Sequence, residues 1–293
     1  MKISGTTKVC GVIGDPVEHT LSPAMHNAAF NELKLDFIYV VFKVKKEALE
    51  KAMKGVRSLG IHGLNVTMPH KNAVINYLDK IDSTAKFIDA VNTVLNDNEK
   101  LVGFNTDGAG ALKALKENGV DPKGKKLLLL GAGGAANAIA FRMAQEVEEL
   151  VILNRTAEKA EKLAEILRRK FNKQITGNSL SANRIKEYLK NTDILINATS
   201  VGMYPNTNQS PFRPEWLKPD LCVMDIIYNP LETKLAKDAK ARGAKVIRGV
   251  EMLVYQGAAS FEIWTNHSAP VGVMKEAVFK KLLETGACID RRS

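Results

Sequence analysis

The chain has 293 residues, 45% hydrophobic and 25% charged, the make-up of a globular protein long enough for two cores rather than of a disordered or fibrous chain. Its net charge of +10 does not point to a nucleic-acid partner, because the lysines are interleaved with acids and apolar residues, as in Glu158-Lys159-Ala160-Glu161-Lys162, and read as solvated helix faces. No run approaches the ~18 apolar residues of a membrane span, and Met1-Lys2-Ile3-Ser4-Gly5 has no signal-peptide core, so no membrane partner and a cytoplasmic location are expected. Cys10, Cys222 and Cys288 are far apart and read as reduced packing residues, and the five histidines form no zinc-like spacing with cysteines or acids, so no metal is expected.

Strand and helix signals alternate from the start of the chain. Strands are expected at Lys8–Ile13, Phe37–Val44 and Gly63–Thr67, with helices near Ala24–Leu33, Lys46–Leu59 and Lys71–Leu78. Ser22-Pro23 reads as N-cap and first helical residue. A hairpin follows, Val91–Leu95 and Leu101–Phe104 about the turn Asn96-Asp97-Asn98, and then a helix near Ala109–Asn118. From Lys125 the pattern is that of a doubly wound nucleotide domain, with strands at Lys126–Leu130, Leu150–Leu153, Gln174–Thr176, Ile194–Asn197, Cys222–Ile226 and Lys245–Ile247. Two apolar helices, near Glu251–Thr265 and Val271–Leu283, close the chain.

The strand Leu127-Leu128-Leu129-Leu130 runs into Gly131-Ala132-Gly133-Gly134-Ala135-Ala136. Gly131 suits a tight turn, Gly133 lets backbone approach a pyrophosphate, and Ala136 lets the next helix pack on the strand, whose N-terminal amides favour anionic oxygens. After the second strand stand Asn154-Arg155-Thr156, where an NAD site would place an acid; arginine there suits a 2′-phosphate, so NADP is expected. Gly119-Val120-Asp121-Pro122-Lys123-Gly124-Lys125-Lys126 imitates a triphosphate loop but precedes its strand and has Lys126 where a magnesium-binding hydroxyl belongs.

Upstream, Thr20 and Ser22 stand before a helix and suit either a ligand carboxylate or simple capping. Lys71, after Asn65-Val66-Thr67-Met68-Pro69-His70, is placed in the first turn of the expected helix, where the macrodipole disfavours a cation and would lower its pKa; it suits proton transfer or is a surface lysine. Asn92 and Asp107 lie at strand ends, and Asp107 either tunes Lys71 or caps the following helix. Thr199, in Asn197-Ala198-Thr199-Ser200, Tyr228 and Gln256 follow later strands; the last two face an expected interdomain cleft or are a core tyrosine and an exposed glutamine.

His19-Thr20-Leu21-Ser22-Pro23, Asn65–Lys71, Ala90–Thr93, Asn105–Gly108, Gly131–Ala135 with Asn154–Thr156, and Gly249–Gln256 occur in one order over nearly the whole chain. In this the sequence resembles the shikimate dehydrogenase family. The resemblance implies an α/β protein: an N-terminal α/β substrate domain, residues 1–107 completed by helices in 257–293, and a Rossmann-type doubly wound NADP-binding domain, 108–256, with the active site in the cleft. It implies reversible NADPH-dependent reduction of 3-dehydroshikimate to shikimate in aromatic amino-acid biosynthesis, NADP(H) as cofactor and a small-molecule substrate, and leaves homodimerisation open. It assigns catalysis to Lys71 and Asp107, and substrate binding to Thr20, Ser22, Thr67, Asn92, Tyr228 and Gln256. Cofactor binding falls to Gly131, Ala132, Gly133, Gly134, Ala135, Asn154, Arg155, Thr156, Lys159, Thr199, Ile226 and Gly249. Thr20 stands where the family usually has serine, keeping the hydroxyl and adding a methyl. Two alternatives stay open: a quinate/shikimate dehydrogenase that also accepts NAD, and a binding or regulatory protein on the same fold.

Overall fold

The structure, a computed structural model, describes residues 3–289, with side chains described to residue 284; Cys288 therefore lies outside the described side chains. The chain forms two compact units, Met1–Thr106 with Val254–Ser293, and Asp107–Leu253. The expected boundaries at 107/108 and 256/257 thus fall at 106/107 and 253/254. Asp107 is the first residue of a helix that packs within the second unit, and the helix beginning at Gly249 runs unbroken through the other boundary.

The first unit begins β1 (Lys8–Gly14), α1 (Ser22–Glu32), β2 (Phe37–Lys43), α2 (Leu49–Ser58), β3 (Gly63–Val66), β4 (Lys80–Ile81), α3 (Ser83–Ile88), β5 (Thr93–Asp97) and β6 (Lys100–Phe104). Its sheet has the order β2-β1-β3-β5-β6-β4, with β1 parallel to β2 and β3, and β5 antiparallel to β3 and β6. The parallel strand β1 is buried on both faces from Cys10 onward, which is why Cys10-Gly11-Val12-Ile13 reads as a continuous apolar run rather than an alternating one; β3 is buried throughout as well but carries the polar Asn65. Ile13, Leu64, Val66, Val94 and Leu101 pack with Met53 and Val56 of α2, each fully buried aliphatic side chain contributing roughly 1.5–3 kcal/mol.

Three local expectations change. Ser22 is the first residue of α1 rather than its cap, and no side chain caps this helix; Thr20 Oγ1 instead accepts the Ser22 N–H at 3.3 Å. The segment after Pro69 is not an α-helix but a turn followed by the 3₁₀ stretch Ala73–Tyr77. The reason is a competing bond: the Lys71 carbonyl accepts from Val91 N–H at 2.8 Å. Lys71 therefore sits in a turn, and the dipole argument for it has no α-helix to act through. The hairpin turn lies at Asn98-Glu99, both at positive φ (51° and 67°), the signature of a type I′ connection, so β5 extends to Asp97.

The second unit comprises α4 (Asp107–Glu117), β7 (Lys126–Leu130), α5 (Gly134–Glu146), β8 (Glu149–Asn154), α6 (Ala157–Phe171), β9 (Gln174–Ser179), α7 (Ala182–Leu189), β10 (Ile194–Asn197), β11 (Cys222–Asp225), α8 (Lys234–Ala241), β12 (Lys245–Ile247) and the start of α9 (Gly249–Thr265). All six strands are parallel in the order β12-β11-β10-β7-β8-β9, so the strand order reverses between β7 and β10, the switch point at which such sheets bind ligands. The remainder of α9 and α10 (Val271–Ile289) belong to the first unit, where α10 packs on α1.

Candidate active site

In the first unit, backbone bonds draw three predicted segments to one end of the sheet. Asp15 N–H bonds the Met68 carbonyl at 3.0 Å, Thr67 N–H bonds Ile13 at 3.0 Å, and Val66 N–H bonds Asn92 at 2.8 Å. With the Val91–Lys71 bond, these ties set Thr67 and Lys71 beside Asn92 and beside the strand end that leads to Thr20 and Ser22. Gly14 has room for no side chain, because its Cβ would meet the Thr67 methyl.

Beneath these residues lies a buried polar network. The Thr20 hydroxyl donates to Ser22 Oγ at 3.2 Å, and Ser22 faces the phenol of Tyr39, which donates to Asn65 Oδ1 at 2.7 Å. Asn65 Nδ2 reaches Ser260 Oγ at 3.0 Å and the Asn92 carbonyl at 3.2 Å, while Ser260 and Thr93 hydroxyls lie 2.7 Å apart. The Asn92 side chain is fixed in orientation: its Oδ1 accepts from Thr106 N–H at 2.8 Å and from Thr93 at 2.9 Å, and its amide donates to Thr106 Oγ1 at 2.9 Å and Gln256 Oε1 at 3.4 Å. A buried amide with its oxygen and nitrogen both engaged cannot flip at low cost. Burial raises the Tyr39 phenol well above its ordinary pKa, so it stays a donor. His26, stacked on Tyr39 at 4.5 Å, is pushed down to about 3 by burial and is neutral near pH 7.

In the second unit, Gly131 directly follows β7 at φ +112°, with its N–H bonded to the Leu153 carbonyl at 2.8 Å. A Cβ there would lie 2.8 Å from the Ala198 carbonyl oxygen, so glycine is required for the loop after β10 to approach. Gly133 has the opposite environment: it is exposed at φ −91°, with no atom within 4 Å of where a Cβ would stand. That open space before the N-terminus of α5, flanked by Ala132, Gly134 and Ala135, fits a pyrophosphate approaching the helix amides. Asn154 Nδ2 bonds the Thr156 carbonyl at 2.9 Å, shaping a turn that leaves Arg155, Thr156 and Lys159 exposed at the start of α6.

Thr199 bonds Asn197 Oδ1 through its hydroxyl at 2.7 Å and its N–H at 3.1 Å. Gly249 sits against the carbonyls of Ile226 and Ile227, leaving no space for a Cβ. Tyr228 follows on the same segment, half-buried, its phenol raised above the ordinary pKa by burial. The predicted residues thus divide between the units: Thr20, Ser22, Thr67, Lys71, Asn92 and Gln256 lie in the first, and Asp107, Tyr228 and the whole cofactor set in the second.

Sequence reasoning singled out neither Tyr39, Thr106 and Ser260 nor the buried Asp225. Tyr39 is hidden in the apolar run Phe37-Ile38-Tyr39-Val40-Val41-Phe42, where nothing marks its hydroxyl. Ser260 carried a usable signal, one helical turn after Gln256 in an otherwise apolar stretch. Among the described residues no three His, Cys, Asp or Glu side chains gather as metal ligands, and no helix is long and apolar enough to cross a membrane. Cys10 and Cys222 are buried free thiols.

Three family models match the chain: the shikimate dehydrogenase substrate binding domain over residues 12–94, shikimate / quinate 5-dehydrogenase over 113–211, and the shikimate 5′-dehydrogenase C-terminal domain over 249–279. The shikimate dehydrogenase (NADP(+)) of Methanopyrus kandleri is 49% identical over 285 residues, covering 96% of this chain and 98% of that protein. A crystal structure of a shikimate dehydrogenase in complex with NADP+ is 46% identical, with a TM-score of 0.90 over 96% of this chain and 98% of its own. That of the Thermus thermophilus shikimate 5-dehydrogenase in complex with NADP(H) and shikimate is 37% identical, with a TM-score of 0.84 over 93% and 99%. This likeness over nearly its full length, on a chain whose second unit is a doubly wound parallel sheet, shows that the chain belongs to the shikimate dehydrogenase family.

Proposed function

We propose that the protein catalyses the reversible, NADPH-dependent reduction of 3-dehydroshikimate to shikimate in aromatic amino-acid biosynthesis, with Lys71 and Asp107 as its proton-handling residues. The observation that carries the Lys71 assignment is the convergence of Thr67, Lys71 and Asn92, held by the Val66–Asn92 and Val91–Lys71 backbone bonds; Asp107 is assigned by the family resemblance. The bound cofactor supplies the hydride. Gly131–Ala135 and the α5 N-terminus would hold its pyrophosphate, Arg155, Thr156 and Lys159 its 2′-phosphate end, and Thr199, Ile226 and Gly249 the remainder.

The chain's own side chains bind, orient and exchange the proton. Thr20 and Ser22 offer hydroxyls to the substrate carboxylate, and Thr67, Asn92, Tyr228 and Gln256 to its ring oxygens. Fixing the ring removes orientational freedom before the chemistry begins. Lys71 delivers a proton to the oxygen of the carbonyl being reduced, and in the reverse direction removes it from the hydroxyl. Arg155 favours the phosphorylated cofactor over NAD, and intact Lys71 and Asp107 argue against a silent binding protein. Use of a soluble NADP(H) pool is the support for a cytoplasmic location, and light scattering of the purified protein tests for a homodimer. The assignment is tested by Lys71→Ala: turnover with shikimate falls while NADP+ affinity holds, and unaltered turnover, or equal losses of both, removes Lys71 from the chemistry.

A further inference from the structure

Asp225, the last residue of β11, is 2% exposed and belongs to none of the groups assigned above. Its Oδ1 accepts from Asn197 Nδ2 at 3.1 Å and from Ile227 N–H at 3.2 Å, and its Oδ2 from the Thr233 hydroxyl at 2.7 Å. Each donor leads elsewhere. Asn197 Oδ1 holds Thr199 by hydroxyl and N–H, and Thr199 Oγ1 accepts Val201 N–H at 3.2 Å, so this branch sets the loop after β10. That loop is the one whose Ala198 carbonyl abuts Gly131. The Ile227 branch sets the segment after β11, whose carbonyls at Ile226 and Ile227 abut Gly249. The Thr233 branch leads away from the strand ends, because Thr233 Oγ1 accepts Ala236 N–H at 3.2 Å and caps α8.

We propose that Asp225 is a positioning residue for the dinucleotide: one buried carboxylate ties the loops after β10 and β11 into the shape in which Thr199, Ile226 and the glycine turn receive it. The proposal rests on the cofactor assignment above. The choice of an acid follows from counting partners. A carboxylate accepts from all three donors, whereas an asparagine offers one oxygen and a donating amide, and the amide would face a threonine oxygen already accepting from Ala236. Burial works against this choice, pushing the carboxyl up to about 6, so the acid stands where folding alone would favour a neutral side chain. An isolated capping role would need only the Thr233 bond; the Asn197 and Ile227 bonds both run to cofactor-facing segments.

The test is NADP+ binding by calorimetry, at a fixed pH near neutral, to the full-length wild type and to Asp225→Asn, Asn197→Ala and Thr233→Val, each with its unfolding curve. The expected result is NADP+ affinity weakened about tenfold in Asp225→Asn and Asn197→Ala, the scale of one lost charge-assisted bond, with the KM for shikimate little changed. Thr233→Val lowers stability through the α8 cap and leaves NADP+ affinity at the wild-type value. Should Asp225→Asn fail to fold, Asn197→Ala reads the same branch. Wild-type affinity in both branch variants overturns the proposal, as does a loss of affinity in all three that merely follows their loss of stability. If the wild type itself fails to bind NADP+, the cofactor assignment is what has failed, and the proposal falls with it.

Discussion

Substituting the two glycines of the turn after β7 should produce opposite phenotypes. In Gly131→Ala the residue must keep φ near +112°, a conformation that costs an L-residue on the order of 1–3 kcal/mol. The new methyl would also stand 2.8 Å from the Ala198 oxygen and 3.1 Å from its carbonyl carbon. Both are backbone atoms, so relief requires moving the loop after β10, a further cost of roughly 1–3 kcal/mol. The sum is about 2–6 kcal/mol, a large share of the ~5–15 kcal/mol that holds a protein folded. Gly133→Ala meets no atom within 4 Å and keeps an ordinary φ of −91°, so its stability should stay within about 1 kcal/mol of the wild type. Its methyl instead occupies the space assigned to the pyrophosphate, and NADP+ affinity should fall at least about tenfold. Urea unfolding followed by circular dichroism, paired with NADP+ calorimetry, reads both. A Gly131→Ala protein as stable as the wild type would show that Gly131 is not forced by the turn, and a Gly133→Ala protein that binds NADP+ normally would show that no pyrophosphate sits there.

Lys71→Ala should reduce kcat for shikimate by roughly 10²–10⁴, the usual contribution of a positioned acid–base group, with NADP+ affinity unchanged in calorimetry. Arg155→Ala should weaken NADP+ about 10–100-fold and leave NAD+ nearly unaffected; parallel losses would show that Arg155 does not read the 2′-phosphate. Tyr39→Phe removes the donor to the buried Asn65 Oδ1 and should cost about 1–3 kcal/mol in urea unfolding, with no change if that bond is dispensable. Asp225 is raised by burial to about 6, above its unfolded value near 4, so its contribution to stability is complete below pH ~4 and is lost as pH rises through about 6. The stability of the wild type minus that of Asp225→Asn should therefore fall by roughly 2–3 kcal/mol between pH 4 and pH 7, and a flat or rising difference would contradict the buried, ionising carboxyl.

The parts of this protein that were legible in its sequence are those where local chemistry and tertiary context agree. The leucine run of β7 and Gly131 after it read correctly because a doubly buried parallel strand and a turn at positive φ leave little choice of residue. The segment after Pro69 misled because a helix pattern says nothing of long-range bonds: the Lys71 carbonyl is taken by Val91, twenty residues on in the chain. Ser22 misled in the same way, its hydroxyl being drawn toward Thr20 and Tyr39 instead of the α1 amides. The network that fixes Asn92 was illegible for a different reason. Tyr39, Thr106 and Ser260 are ordinary residues in β2, between β6 and α4, and in α9, and only the fold brings their hydroxyls together. Asp225 closes a parallel strand much as a loop-facing acid would, and its burial follows from three donors spread over residues 197–233.

Whether this chain oxidises shikimate with NADP+ and reduces 3-dehydroshikimate with NADPH can be read in a single absorbance assay of the purified protein. Shikimate and quinate are each offered with NADP+ and with NAD+, and the appearance of reduced nicotinamide is followed. Shikimate should reduce NADP+ rapidly, with quinate and NAD+ far poorer. No reduction of either cofactor by shikimate, or a preference for quinate with NAD+, would contradict the proposed activity.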